Sequence, residues 1–98
     1  MIIYNVTIKV EQSAAEAWVK WMKMEHMAEV MNTGCFNDCR LCRLLEQDET
    51  EGLTYVAQYF CASLEQYNNY IGKYAQNMRE QGNKLFGGRF VAFRTVME

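Results

Sequence analysis

The sequence predicts an α+β fold with the element order β-α-β-β-α-β. Three observations predict it: an N-terminal run with a two-residue apolar period, two apolar stripes with helical spacing, and a β-branched and aromatic run near the C-terminus. The chain has 98 residues, of which 50% are hydrophobic and 22% are charged. This length and composition favour one domain covering residues 1–98.

The first strand is the clearest element of the sequence. Apolar and polar positions alternate over residues 2–10, which is typical of a strand with one buried face. The apolar set is Ile2, Tyr4, Val6, Ile8 and Val10.

A first helix is predicted over residues 14–32. Ser13 and Glu16 form a capping-box pattern, in which each side chain satisfies a free backbone N–H group of the first turn. Trp18 and Trp21 lie on the apolar stripe that follows, and Gly34 suits a C-terminal cap.

The second half of the chain repeats this arrangement. Residues 35–46 are extended in character, residues 48–52 have turn chemistry, and residues 53–61 are rich in strand-forming side chains, so a hairpin is predicted. Ser63 begins a second capping-box pattern, and the helix after it is expected to end near Gly82. Residues 89–97 form the last predicted strand.

This element order is that of a ferredoxin-like fold, with a four-stranded antiparallel sheet and two helices on one face. Apolar side chains occupy both faces of the predicted strands, although two helices can cover only one face. We therefore expect a homodimer joined through the open sheet faces. The alternative is a monomer with ordinary surface aromatics.

The net charge and the hydropathy of the chain argue against two classes of binding partner, nucleic acids and membranes. The net charge of −2 lacks the positive excess typical of nucleic-acid binding. No apolar run reaches the ~20 residues of a membrane span, and the N-terminus has no signal-peptide pattern. We expect a cytoplasmic protein whose four cysteines are free thiols, with neither nucleic acid nor membrane as a partner.

The spacing of Cys35, Cys39 and Cys42 is that of an iron–sulfur motif. On an extended segment, however, the first two thiols are about 13 Å apart and the third points to the opposite face. A zinc site that adds Cys61 and His26 requires the same convergence. We expect four independent thiols and no metal.

His26 is the only histidine, and it is the candidate proton carrier. The alternative is a boundary residue that interacts with Glu29, three positions further along the helix. Trp18 and Trp21 are expected mainly as core, and the alternative is that either indole lines a pocket for a flat ligand.

Polar side chains interrupt the apolar strands and are the remaining candidates for ligand binding. A charge on a strand of this kind must be paired, solvated in a cavity or used for an anionic ligand. For Arg40 and Arg43, pairing with Asp38, Glu46 or a carboxylate of a partner chain is the competing interpretation. The candidates are Asn5, Arg40, Arg43, Gln58 and Arg94.

The chain also resembles a family of small bacterial proteins described as a domain of unknown function. The most specific part of the resemblance is the closing run from Arg89 to Thr95, Arg-Phe-Val-Ala-Phe-Arg-Thr, and the rest covers nearly the whole chain. That family is similar to the dimeric α/β-barrel superfamily, which includes cofactor-independent monooxygenases, haem-degrading enzymes and stress-response proteins. The other shared positions are Trp18, Trp21, Met22, His26, Val30, Thr33, Gly34, Phe36, Arg43–Leu45, Thr54, Tyr55, Gln58–Phe60, Phe86 and Gly87.

Two functional hypotheses follow. The first is a non-catalytic homodimer that binds a small hydrophobic or anionic ligand in the barrel or in the cavity between sheet and helices. The alternative is a cofactor-independent monooxygenase-like or haem-degrading-like enzyme that uses His26. The sequence has no nucleophile-elbow, phosphate-loop or zinc-protease motif, and no cofactor is expected.

Overall fold

The computed structural model describes residues 1–98 and contains four strands and four α-helices. A π-helical turn, Met22–His26, joins the first two helices. The strands are β1 (Ile2–Val10), β2 (Asp38–Arg43), β3 (Leu53–Cys61) and β4 (Phe90–Met97), and the helices are α1 (Gln12–Trp21), α2 (Met27–Asn32), α3 (Leu64–Lys73) and α4 (Ala75–Phe86).

The strands form one antiparallel sheet in the order β2-β3-β1-β4. β1 is central and pairs over its whole length with β3, from Ile2 opposite Cys61 to Val10 opposite Leu53. Its other side pairs with β4. The predicted α+β class, with a four-stranded antiparallel sheet, is confirmed.

The core lies between the helices and one face of the sheet. Along β1, Ile2, Tyr4, Ile8 and Val10 are buried, whereas the residues between them are only partly buried. Trp18 of α1 packs against Tyr55 of β3, with ring centroids 5.1 Å apart. The two-residue alternation therefore places one apolar set under the helices and leaves the other set on an open face.

The first helix differs from the sequence prediction in its starting residue, in its N-cap and in its continuity. It begins at Gln12 with Glu11 as N-cap, and no side chain caps it. The hydroxyl of Ser13 instead accepts a hydrogen bond from Nη2 of Arg89 at 3.0 Å, so the capping box predicted at Ser13 is wrong. The continuous helix predicted for residues 14–32 is interrupted by the π-helical turn.

The second helical segment also consists of two parts. Tyr74 separates α3 from α4, and α4 continues past the predicted end at Gly82 as far as Phe86. Gly82 lies inside the helix beside the indole of Trp21, which a Cβ atom at this position would contact at 3.4 Å. The predicted cap at Ser63 is confirmed, since its hydroxyl accepts a hydrogen bond from the backbone N–H of Gln66 at 3.3 Å.

The cysteines are distributed over different parts of the fold. The strand predicted to start at residue 35 starts at Asp38, so Cys35 lies in the preceding loop. Cys35 and Cys61 are buried, Cys39 is partly buried and Cys42 is exposed. No three histidine, cysteine or acidic side chains are grouped closely enough to hold a metal ion. No helix has the length and apolar character required to cross a membrane.

Candidate ligand cavity

A cavity of about 310 Å³ lies between the helices and the covered face of the sheet. Its floor comes from β1, β3 and β4, and its walls come from α1, the π-helical turn, α3 and α4. Of the 17 lining residues, 12 are hydrophobic. They are Tyr4, Val6, Ile8, Trp18, Trp21, Met22, His26, Ala57, Tyr59, Tyr70, Met78, Arg79, Gly82, Asn83, Phe90, Ala92 and Arg94.

His26 reaches this cavity from the last position of the π-helical turn. A π turn contains one more residue than an α turn, which changes the direction of the side chains that follow it. The imidazole of His26 stacks on the indole of Trp21, with centroids 4.5 Å apart and an interplanar angle of 27°. Its Nδ1 atom is buried and has no hydrogen-bond partner.

The charge state of His26 follows from this environment. Burial is the main cause that lowers the pKa of His26 from 6.5 to about 4; Glu29 acts in the opposite direction, and Arg94 contributes to the decrease. The imidazole is therefore uncharged near neutral pH, and it presents an apolar ring face and unprotonated nitrogen to its surroundings.

Two arginines and a tyrosine form the polar part of the cavity. The hydroxyl of Tyr4 accepts hydrogen bonds from Nε of Arg94 at 3.1 Å and from Nη2 of Arg79 at 3.5 Å. Tyr4 is 3% exposed, whereas both arginines are exposed at the cavity mouth. Tyr4 thus connects a cation of β4 with a cation of α4.

Neither cation has a counter-charge. The cavity lining contains no aspartate or glutamate. The ion pairs of the structure involve other arginines and join Arg43 to Glu49 and Arg89 to Glu11. The cavity therefore combines an apolar interior with an uncompensated positive mouth.

The remaining tyrosines of the lining stay protonated. Burial raises the pKa of Tyr59 and of Tyr70, and in both cases a neighbouring tyrosine adds to the increase. Their hydroxyl groups are consequently neutral donors rather than bases at physiological pH.

The structure places three of the candidate residues from the sequence in the cavity and three on the open face of the sheet, whereas Arg43 belongs to neither group. Trp21, His26 and Arg94 meet in the cavity. Arg43 lies outside it and pairs with Glu49, and not with Asp38 or Glu46 as the competing interpretation expected.

Asn5, Arg40 and Gln58 lie on the open face of the sheet, where they form a row across it. Arg40 is opposite Gln58, Gln58 is opposite Asn5, and Asn5 is opposite Thr95. Nε of Arg40 donates to Oε1 of Gln58 at 2.7 Å, and Nε2 of Gln58 donates to Oδ1 of Asn5 at 3.1 Å. Nδ2 of Asn5 donates to Oγ1 of Thr95 at 3.4 Å, which completes the row. We call these four side chains the polar row.

Sequence reasoning missed Arg79, Tyr4 and Asn83 as cavity residues. The alternation of apolar and polar residues in β1 predicts that Tyr4 belongs to the core. This is correct for its ring but gives no information about its hydroxyl. Arg79 and Asn83 are four residues apart and hence on one side of α4. That spacing is the available signal, but polar residues beside an apolar stripe are usually solvated.

The fold is similar to several solved structures. A protein from Arabidopsis thaliana matches with a TM-score of 0.72 and 10% identity over 100% of this chain and 94% of the other. A protein from an uncultured marine organism, described as dimeric and ferredoxin-like, matches with a TM-score of 0.70 and 11% identity over 98% and 94% of the two chains. A monooxygenase from Streptomyces coelicolor, solved in complex with nanaomycin D, matches with a TM-score of 0.63 and 16% identity over 99% and 87%.

Sequence comparison gives a family but no activity. A comparison with curated proteins finds no match. The model of a family described as "Domain of unknown function (DUF4286)" matches residues 1–98.

Proposed function

Since the chain belongs to this family of unknown function, we propose that it is a homodimeric binding protein that holds a small hydrophobic or anionic molecule in the cavity between helices and sheet. The observation that carries this proposal is the 310 Å³ space, which has a mostly hydrophobic lining and a mouth with two free arginines. An apolar pocket with a few convergent polar groups is the usual form of a small-molecule site.

The homodimer is supported by the open face of the sheet. Phe93 and Val91 of β4 lie on this face and are 64% and 67% exposed. Ile3, Val56 and Phe60 extend the apolar surface across β1 and β3. A solved structure with a similar fold is described as dimeric, which supports a dimer for this chain.

The polar row is compatible with burial under a second copy. Its members satisfy one another through three hydrogen bonds, and the guanidinium of Arg40 also lies over the ring of Phe60 at 5.5 Å from the centroid. Buried amide and hydroxyl groups cost little when they are paired in this way, whereas the charge of Arg40 has no carboxylate partner within the chain and requires one from the second copy or contact with solvent. A second copy is therefore the occupant that we propose for this face.

Occupancy of the cavity is tested with a cavity-filling variant. Ala92 lines the cavity, so Ala92→Phe should fill it, whereas Ala28 is exposed on α2 and Ala28→Phe is the matched control. In NMR titrations with 2-naphthol, the indole N–H signals of Trp18 and Trp21 should shift in the unsubstituted protein and in the control, but not in Ala92→Phe. Equal shifts in both variants would place the binding elsewhere and contradict the proposal.

The dimer is tested by sedimentation at micromolar concentration. Phe93→Asp introduces a charge into the proposed interface and should give an 11.5 kDa particle. Leu85 of α4 is 57% exposed, so Leu85→Asp makes the same substitution away from the sheet and should leave the dimer intact. A monomer without any substitution would refute this part of the proposal.

A second candidate is a cofactor-independent oxygenase in which His26 accepts a proton from a ring-bearing substrate. The unpartnered nitrogen of His26 beside the cavity favours it. However, a pKa of about 4 makes His26 a weak base, because general bases work best when their pKa is near the working pH. Oxygen uptake with hydroxylated naphthalenes as substrates, lost in His26→Ala, would establish the enzyme in place of the binding protein.

The haem-degrading alternative has no such support. A haem is larger than a cavity of about 310 Å³, and the sole histidine is held in a stack with Trp21. The residues of this site therefore do not fit a haem.

A further inference from the structure

The mouth of the cavity presents hydrogen-bond donors from two opposite walls. Arg79 projects from α4 and Arg94 projects from β4, and both reach the same tyrosine oxygen. We propose that the bound molecule is a carboxylic acid with a small flat apolar body, held through its carboxylate by Arg79 and Arg94. This inference rests on the proposed function, because it specifies the ligand class of the same cavity.

The guanidinium groups at the cavity mouth have no negatively charged hydrogen-bond acceptor. Tyr4 already uses its oxygen to accept from both guanidinium groups, and its own hydroxyl proton has no partner in the protein. The guanidinium groups retain further N–H donors and cannot lose their charge. A carboxylate brings two acceptor oxygens and a negative charge, and it forms short charge-assisted hydrogen bonds with arginine.

The chain supplies no internal substitute for this anion. No acidic residue lines the cavity, and neither Arg79 nor Arg94 takes part in an ion pair. Glu29 influences the charge of His26 but does not belong to the lining. Arg79 and Arg94 are both exposed, so water screens their mutual repulsion, and an anion bound between them reduces it further.

The geometry favours a carboxylate over a phosphate. Phosphate sites are commonly built from the backbone N–H groups at a helix start or in a glycine-rich loop. Met78 is the only residue of this lining that belongs to the first turn of an α-helix, and its backbone N–H already donates to the carbonyl oxygen of Tyr74. Gly82 lies inside α4. The available donors are side chains, and they suit a small planar anion.

The interior indicates the shape of the rest of the molecule. Trp21 stacks on His26 and also contacts Phe86, with centroids 5.6 Å apart, so one wall of the cavity is built on a flat indole. The cavity volume of about 310 Å³ lies at the lower end of the range for small-molecule pockets. A body of one or two rings matches both the wall and the volume.

The test uses calorimetry with two probes of the same shape and different charge. Naphthalene-2-carboxylate should bind the full-length protein at least about tenfold more tightly than the neutral naphthalene-2-carboxamide. Arg79→Gln and Arg94→Gln should each weaken binding of the carboxylate by about tenfold or more and leave binding of the amide within about twofold. Arg43→Gln removes the same charge outside the cavity and should change neither affinity.

The outcomes separate this inference from the proposed function. Equal affinity for the carboxylate and the amide would overturn the carboxylate inference and leave the cavity as a binding site. Tighter binding of inorganic phosphate than of naphthalene-2-carboxylate would also overturn it. If neither naphthalene probe binds and the indole signals do not move, both the inference and the proposed function are refuted.

A conservative variant controls for folding. Arg94→Lys keeps the positive charge but loses the planar fork that binds both carboxylate oxygens. Its affinity for naphthalene-2-carboxylate should lie between those of the unsubstituted protein and Arg94→Gln. If Arg94→Lys and Arg94→Gln both lost affinity for the neutral amide as well as for the carboxylate, position 94 would act through the fold and not through contact with the carboxylate.

Discussion

Acidification should destabilise the protein through His26, which is the only histidine of the chain. Burial lowers the pKa of this residue from 6.5 to about 4 in the folded state. The unfolded chain therefore binds a proton between these two values, whereas the folded chain does not. Since stability increases with pH wherever the unfolded state binds more protons, this contribution is complete above about pH 6.5 and decreases as the pH falls towards 4.

The magnitude follows from the two pKa values. Between about pH 7 and about pH 5, protonation of the unfolded histidine should lower the free energy of unfolding by about 2 kcal/mol. This range lies above the ordinary pKa values of the carboxyl groups, so His26 is the main titrating side chain within it. A loss of that size is a large part of the 5–15 kcal/mol that stabilises a typical small domain, about one fifth on average.

Two measurements check this prediction. Proton NMR of the single imidazole gives its pKa directly, and urea unfolding at equal protein concentration gives the free energy at each pH. In His26→Gln, which does not titrate, the difference between the two pH values should nearly disappear. An imidazole pKa of 6 or higher, or an unchanged pH dependence in His26→Gln, would refute the proposed burial of an uncharged histidine.

Two further predictions concern single turns of the backbone. Gly52 has a φ of 151°, and a Cβ atom there would lie 2.9 Å from the carbonyl carbon of Val10 and closer still to its oxygen. Gly52→Ala should therefore cost more than about 2 kcal/mol in urea unfolding, and a cost below about 0.5 kcal/mol would contradict this local geometry. Ser63→Ala should cost about 1 kcal/mol because it removes the cap of α3, whereas Ser13→Ala, which removes no cap, should cost less. Equal costs of the two serine substitutions in the same assay would contradict the assignment of the caps.

The sheet could be predicted from the sequence because strand periodicity is local. In β1 and β3 each apolar alternation corresponds to one buried face, which excludes pairings shifted by one residue but not those shifted by two. The helix boundaries were less predictable because long-range contacts decide them. Ser13 has the sequence of a cap, but its hydroxyl binds Arg89 from the other end of the chain. The π-helical turn at Met22–His26 has no sequence signature of this kind.

The candidate site was predictable only for residues with distinctive chemistry. His26, Trp21 and Arg94 could be nominated by type, since a lone histidine, an indole or a strand arginine requires an explanation. Arg79 could not, because its role arises when α4 is placed over β4 and the two arginines meet at Tyr4. Which side chains meet in this way depends on how the helices pack on the sheet, and no local stretch of the sequence contains that information.

Two neighbouring residues of β4 carry the two proposed properties, which are dimer formation and carboxylate binding. Phe93 faces the open side of the sheet, where the proposed second copy packs, and Arg94 faces the cavity, where the proposed carboxylate binds. Because successive side chains of a strand point to opposite faces, a substitution at one position changes one surface and leaves the other chemically intact. Phe93→Asp and Arg94→Gln should therefore have separate effects, the first on assembly and the second on affinity for the carboxylate probe. If both substitutions changed both properties, the cavity would depend on the dimer, and binding would have to be assigned to the assembled pair of chains.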